Sequence, residues 1–241
     1  MKLSKASIYV SLFLSLILCA NYYVTLEVKK AYNNLIQTQQ HSKASISLTN
    51  GLQVETNELA QLVRLFISTS ETRYLFYYYD IIAIRNGTRH APDNYIPSLY
   101  WADVIAERKP HAALATQGGI SLTTKMKGLG FTQQELLLLQ EILKALETLK
   151  NVEQIAFAST QGLYDIKANE YVSDGEPNVE YANKLIYSNT YNAKKATLSH
   201  ALFNLSQQVQ KRTDNAVQEA STLLNTLITK ASIGLLLTFL L

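Results

Sequence analysis

Ile8 to Val24 reads IYVSLFLSLILCANYYV, a run without one charged side chain, preceded by Lys2 and Lys5 and closed by the pair Tyr22-Tyr23. From Ala6 to Thr25 the apolar stretch is about 20 residues; at about 1.5 Å of helical rise each, that matches a hydrocarbon core roughly 30 Å thick. Lysines before the run and tyrosines at its far edge predict a transmembrane helix over residues 6–25, with residues 1–5 in the cytoplasm and the rest outside. A cleaved signal peptide is the competing reading. It fits less well, because Cys-Ala-Asn-Tyr-Tyr offers bulky residues where a peptidase needs small ones. Leu18 before Cys19 likewise argues against a lipoprotein.

The other end mirrors the first. After Lys230 come ASIGLLLTFLL, eleven uncharged residues, about half of a span. The expectation is that residues 231–241 begin a second transmembrane helix of a longer protein, a buried helix end being the alternative.

Composition narrows the class of what lies between. The 241 residues are 47% hydrophobic and 17% charged, which is not a disordered composition. Net charge is +3, and the basic residues are scattered among acids, so nucleic-acid binding lacks an electrostatic footprint. The single cysteine removes intramolecular disulfides and Cys-based zinc sites. Nine glycines and four prolines against 15 tyrosines favour long helices carrying aromatic faces.

Over residues 26–230 the apolar spacing is helical nearly throughout, with no long strict alternation. An all-α, membrane-anchored antiparallel helix bundle is expected, its long first and last helices continuous with the transmembrane segments. The first helix should run to about Ser68, with Leu59, Leu62, Val63, Phe66 and Ile67 on one face. A second, Glu71 to Asn86, stacks Tyr74, Tyr77, Tyr78, Ile81 and Ile84 or Arg85, and ends at Asn86-Gly87, a left-handed cap. A short helix is predicted around Ser98 to Arg108, between loops over 88–97 and 110–119. Phe131-Thr132-Gln133-Gln134-Glu135 spells a capping box with an apolar staple, opening a helix to about Ser159 whose buried side should carry Leu136, Leu139, Leu143, Leu146 and Leu149. Asp174-Gly175-Glu176-Pro177 marks a turn, Glu180 to Tyr187 a brief helix, and a last helix starts at Thr190 or Tyr191.

No phosphate loop, nucleophile elbow or HExxH motif is present, and His41, His90, His111 and His200 are too dispersed to suggest a metal site. No enzyme activity, cofactor or metal is therefore expected. Arg64 to Trp101 is the notable region, because guanidinium groups alternate there with aromatics in apolar helices. Arg64 lies close to a buried face and must snorkel out or meet an anion. With Arg85, Tyr74, Tyr78, Tyr95, Tyr100 and Trp101 it would form an aromatic-walled pocket with a positive floor, suited to a small carboxylate. The plainer alternative is that both arginines pair with Glu58, Asp80 or Asp103 and that the rings are core.

ELAQLVRLFISTSETRYLFYYYDIIAIRNGTRHAPDNYIPSLYW, Glu58 to Trp101, resembles the N-terminal half of an all-helical periplasmic sensor domain of bacterial histidine kinases, chemotaxis receptors and diguanylate cyclases. The resemblance is carried by Arg64, Thr69, Tyr74, Tyr77 or Tyr78, Ile84-Arg85-Asn86-Gly87, Pro92, Tyr95 and Tyr100-Trp101. Gly130 to Phe157 and Ile186 to Leu202 are similar to later segments of the same domain, so about half of the chain is covered. Ser70-Glu71 departs from the family's usual Gly-Asp. The resemblance implies the signal-sensing region of a receptor in the bacterial inner membrane, with its main domain in the periplasm, relaying to a cytoplasmic kinase, cyclase or chemotaxis output. A small molecule, a carboxylate among the candidates, or a periplasmic binding protein would be the partner, and a homodimer is expected. A membrane-anchored helical scaffold without a ligand pocket is the rival reading.

Overall fold

In the computed structural model, which describes residues 2–111 and 118–240, the chain forms α1 (Lys2–Thr69), α2 (Thr72–Asn86), α3 (Pro97–Ile105), α4 (Leu122–Gly128), α5 (Gln133–Gln161), the strands β1 (Tyr164–Asp165) and β2 (Glu170–Tyr171), α6 (Val179–Ile186) and α7 (Asn189–Leu240). About 80% of the chain is helical, in agreement with the all-α expectation. The strands form one antiparallel hairpin, with Tyr164 opposite Tyr171. The hairpin and α4 are additions to the sequence reading: both are too short to show a periodicity. Of the loop expected over 110–119, residues 112–117 lie outside the described residues.

Local chemistry explains the ends. Gly87 closes α2 in the left-handed region, at φ +75°, and Gly162 closes α5 at φ +74°. The Thr132 hydroxyl accepts from the Glu135 backbone N–H, and the Glu135 carboxylate accepts from the Thr132 N–H at 2.7 Å, completing the expected capping box. Pro97 occupies the first turn of α3, where its missing N–H costs nothing.

The chain divides into two compact units. The first joins residues 1–44 with 210–241. Toward the chain ends its apolar side chains face outward: Ile8, Leu12, Leu16, Ile233 and Leu236 are all more than half exposed. By length and composition α1 and α7 each contain a window apolar enough to cross a membrane, of which 0% and 11% is buried within the protein. Apolar helices covered by so little protein have lipid as their natural cover. Within this unit Asn21 Nδ2 donates to the Gly234 carbonyl at 3.2 Å and to Thr238 Oγ1 at 2.9 Å, bringing α1 and α7 together.

The second unit comprises residues 45–209. Its helices bury faces stepped by three and four residues: Leu52, Glu55, Leu59, Leu62 and Phe66 on α1; Tyr74, Tyr78, Ile81 and Arg85 on α2; Leu139, Ile142, Leu149, Glu153 and Ala156 on α5; Tyr191, Leu198, Leu202, Leu205 and Val209 on α7. Phe157 of α5 joins the faces, its ring meeting Phe66 at 5.2 Å and Tyr78 at 5.0 Å, edge to face. The leucine row expected on α5 is divided: Leu139 and Leu149 are buried, whereas Leu136, Leu143 and Leu146 are only half-buried.

Candidate ligand-binding site

Charged residues fall on the core faces of the second unit. Glu55, Arg85 and Glu153 are buried at positions where the three-and-four stepping calls for apolar side chains. Lys195, four residues after Tyr191 and three before Leu198, holds the equivalent position on α7 and is half-buried. Each of the four long helices thus places a charged residue on this stepped face.

Arg85, Glu153 and Lys195 line a cavity of about 190 Å³, walled by α1, α2, α5 and α7, with Glu55 behind Arg85. Leu59, Leu143, Leu146, Leu149, Leu198 and Leu202 give it apolar surface; Tyr78, Arg85, Glu153, Tyr191 and Lys195 line it as well, together with polar side chains that include Asn57, Asn86 and Ser199. Leu143 and Leu146 are only half-buried because they face this space rather than a neighbouring helix.

Glu153 is held from two sides. Tyr78 Oη donates to its Oε2 at 2.5 Å and Tyr191 Oη to its Oε1 at 2.6 Å. Burial holds its carboxyl above the usual range, against the pull of these hydrogen bonds and of Lys195 and Arg85. Burial and the adjacent carboxylate push both phenols far above ordinary tyrosine, so they stay protonated donors. Arg85 Nε lies 3.5 Å from Glu55 Oε2, and Tyr95 Oη donates to Glu55 Oε1 at 3.3 Å. Glu55 is also pushed up by burial, with Arg85 opposing. Arg85 Nη2 is shut off from solvent and has no hydrogen-bond partner. Lys195 is lowered by partial burial and by Arg64, and its ammonium stands 6.0 Å from the Tyr191 ring centre.

Of the seven residues singled out in the sequence, Tyr78 and Arg85 line the cavity. Tyr95 is one hydrogen bond from Arg85's partner Glu55, and Trp101 Nε1 donates to Tyr95 Oη at 2.7 Å behind it. Tyr100 and Tyr74 are buried outside the cavity lining. Tyr100 Oη meets His111 Nδ1 at 2.8 Å, and Arg73 Nη2 donates to Tyr74 Oη at 2.9 Å. Arg64 is exposed beside the cavity, near enough to act on Tyr191 and Lys195. Helical spacing explains this: Leu62, Val63, Phe66 and Ile67 form the inward stripe, and Arg64 falls off it.

The aromatic residues absent from the cavity build a clamp around the chain between α2 and α4. Asp80 is the anchor, pairing with Arg89 through Oδ1 and with His111 Nε2 through Oδ2 at 2.7 Å. Tyr77, Tyr100 and Trp101 pack around the His111 ring at 5.1, 5.9 and 5.1 Å between centres. Asp103 lies 3.9 Å from Arg108 and Glu58 is half-buried, so the anticipated partner of Arg85 is replaced by Glu55.

No family model, curated protein or solved structure matches the chain.

Glu55, Glu153, Tyr191 and Lys195 escaped the sequence reading, although each left a signal. A charge or phenol at a core step of an amphipathic helix is costly unless partnered, and all four occupy such steps. Among the described residues no three His, Cys, Asp or Glu side chains group as a metal site.

Proposed function

We propose that this chain is the signal-sensing region of a bacterial transmembrane receptor, with residues 45–209 outside the inner membrane as a small-molecule-binding, antiparallel helical bundle. Occupancy of the cavity is relayed through α1 and α7 to an output of kinase, cyclase or chemotaxis type. The observation that carries the reading is the ring of buried charges around the cavity. A scaffold gains nothing from Arg85 and Glu153 at core positions, where leucines of similar volume are as stable or more so. A ligand can use them.

Three further features support it. The segments Glu58–Trp101, Gly130–Phe157 and Ile186–Leu202 resemble the helical sensor domains of such receptors. The helices that line the cavity include α1 and α7, the two with membrane-length apolar windows. Each is a single helix over its whole range, so it can carry a displacement that a flexible linker would absorb. A ligand biases the output by its differential affinity for two packing states of the bundle.

The test is a thermal-shift screen of the whole chain in lipid nanodiscs against carboxylates, amines, amides and polyols. At least one class is expected to raise the melting temperature, and Ser199→Trp, which blocks the cavity's rim, to abolish the rise. A ligand at 100 times its Kd stabilises by about 2.7 kcal/mol. Silence from every class would leave the scaffold reading in its place.

A further inference from the structure

Among the cavity's charged groups, the free hydrogen-bonding capacity is one-sided. Both Glu153 oxygens already accept phenolic protons, at 2.5 and 2.6 Å. Glu147, on the rim, is engaged by Lys150 at 2.8 Å. On the donor side, Arg85 Nη2 has no partner, and Lys195 makes no ion pair within 4 Å among the described residues. The Arg85 side chain is only 5% exposed. A buried guanidinium nitrogen without an acceptor is an expensive feature in a folded chain, and an incoming acceptor removes the cost.

Charge points the same way. Arg64, Arg85, Lys125 and Lys195 act electrostatically on this cluster, against the carboxylates Glu55 and Glu153. The balance is positive; the six leucines and the neutral side chains of Gln53, Thr56, Asn57, Asn86 and Ser199 make up most of the remaining wall. Size adds the last constraint. A cavity of about 150 Å³ admits a benzene ring, and this one, at about 190 Å³, admits a ring or a short alkyl chain bearing a headgroup.

We infer that the ligand is an amphipathic organic monoanion, an alkyl or aryl carboxylate whose headgroup is held by Arg85 and Lys195 and whose body lies against Leu143, Leu146, Leu149 and Leu198. The inference rests on the reading of this cavity as a ligand site and specifies what it takes. An amine would meet two cations and a carboxylate without free capacity. A sugar would leave the leucine wall unused.

Isothermal titration of the whole chain in nanodiscs tests this with matched probes: phenylacetate, phenylacetamide and phenethylamine, and the series acetate, butyrate, hexanoate. Phenylacetate is expected to bind at least tenfold more tightly than its amide or amine. Affinity should rise about fourfold per methylene from acetate to hexanoate, as buried apolar surface grows. Arg85→Gln and Lys195→Gln should each weaken phenylacetate about tenfold or more, while the exposed Lys127→Gln leaves it unchanged. If Arg85→Gln does not fold, Lys195→Gln and the headgroup comparison decide. Equal binding of amide or amine, or affinity indifferent to chain length, overturns the carboxylate assignment and leaves the sensor reading standing. Silence from all these probes, with another class active in the wider screen, does the same. Silence in both overturns both.

Discussion

Tyr78 on α2 donates a 2.5 Å hydrogen bond to Glu153 on α5 across 75 residues of sequence, in a core built mostly of apolar side chains. Removing the donor leaves a buried carboxylate with Tyr191 alone. Tyr78→Phe should cost about 2 kcal/mol of stability at neutral pH, in the range of hydrogen bonds to charged groups, as read by chemical denaturation. The sign of the pH effect follows from burial, which raises the Glu153 carboxyl in the folded state. Below the ordinary carboxylate range both states are protonated and this contribution is fully present; as pH rises through the raised folded value it is lost, because the unfolded chain releases its proton first. Glu153→Gln should flatten that decline, and an unchanged pH profile in this variant would contradict the assignment.

Asp80 ties α2 to Arg89 and His111. Asp80→Ala leaves a buried imidazole and a half-exposed guanidinium without their anion, a loss of about 2–3 kcal/mol. Limited proteolysis should then cut between residues 88 and 111 well before the melting transition. Cleavage at the wild-type rate would mean that the aromatic packing alone holds this segment.

Gly87 and Gly128 both end helices and should respond oppositely to alanine. At Gly87, with φ +75°, a Cβ would meet the Ser121 backbone nitrogen and lie 2.9 Å from the Ile120 carbonyl carbon, so Gly87→Ala should cost about 2 kcal/mol or more. At Gly128 nothing lies within 4 Å and φ is not positive. Gly128→Ala should be neutral or stabilise by up to about 1 kcal/mol, and paired thermal melts separate the two.

Asn21 carries the polar contact between the apolar parts of α1 and α7. Where lipid surrounds the helices, Asn21→Leu should weaken their association by about 1 kcal/mol. The pair Asn21→Cys and Gly234→Cys, with Cys19→Ser, should cross-link on oxidation in membranes. Absence of a cross-link would mean that the two helices do not meet there.

How much was legible beforehand follows the range of the interactions. The bounds of α2, the capping box of α5 and the left-handed cap at Gly87 are set by neighbours within about four positions, so the residues themselves announce them. Arg85 and Tyr78 were readable as cavity residues because each is a polar or amphipathic side chain on an otherwise apolar stripe. Tyr74, Tyr100 and Trp101 carry the same local signature, and yet Tyr100 and Trp101 pack around His111 while Tyr74 meets Arg73. Nothing within a turn of helix distinguishes the two fates.

Sequence by itself determined that this chain is helical, where most of its helices begin and end, and which two are long and apolar enough for a bilayer, because hydrophobic period and capping are local properties of consecutive residues. Tertiary structure alone decided that Glu55, Arg85, Glu153 and Lys195 converge, that Arg64 stays outside, and that half-buried leucines enclose a cavity. Those outcomes depend on how four helices distant in sequence rotate and pack against one another, and a helix's own periodicity defines its apolar face without naming the face that will oppose it.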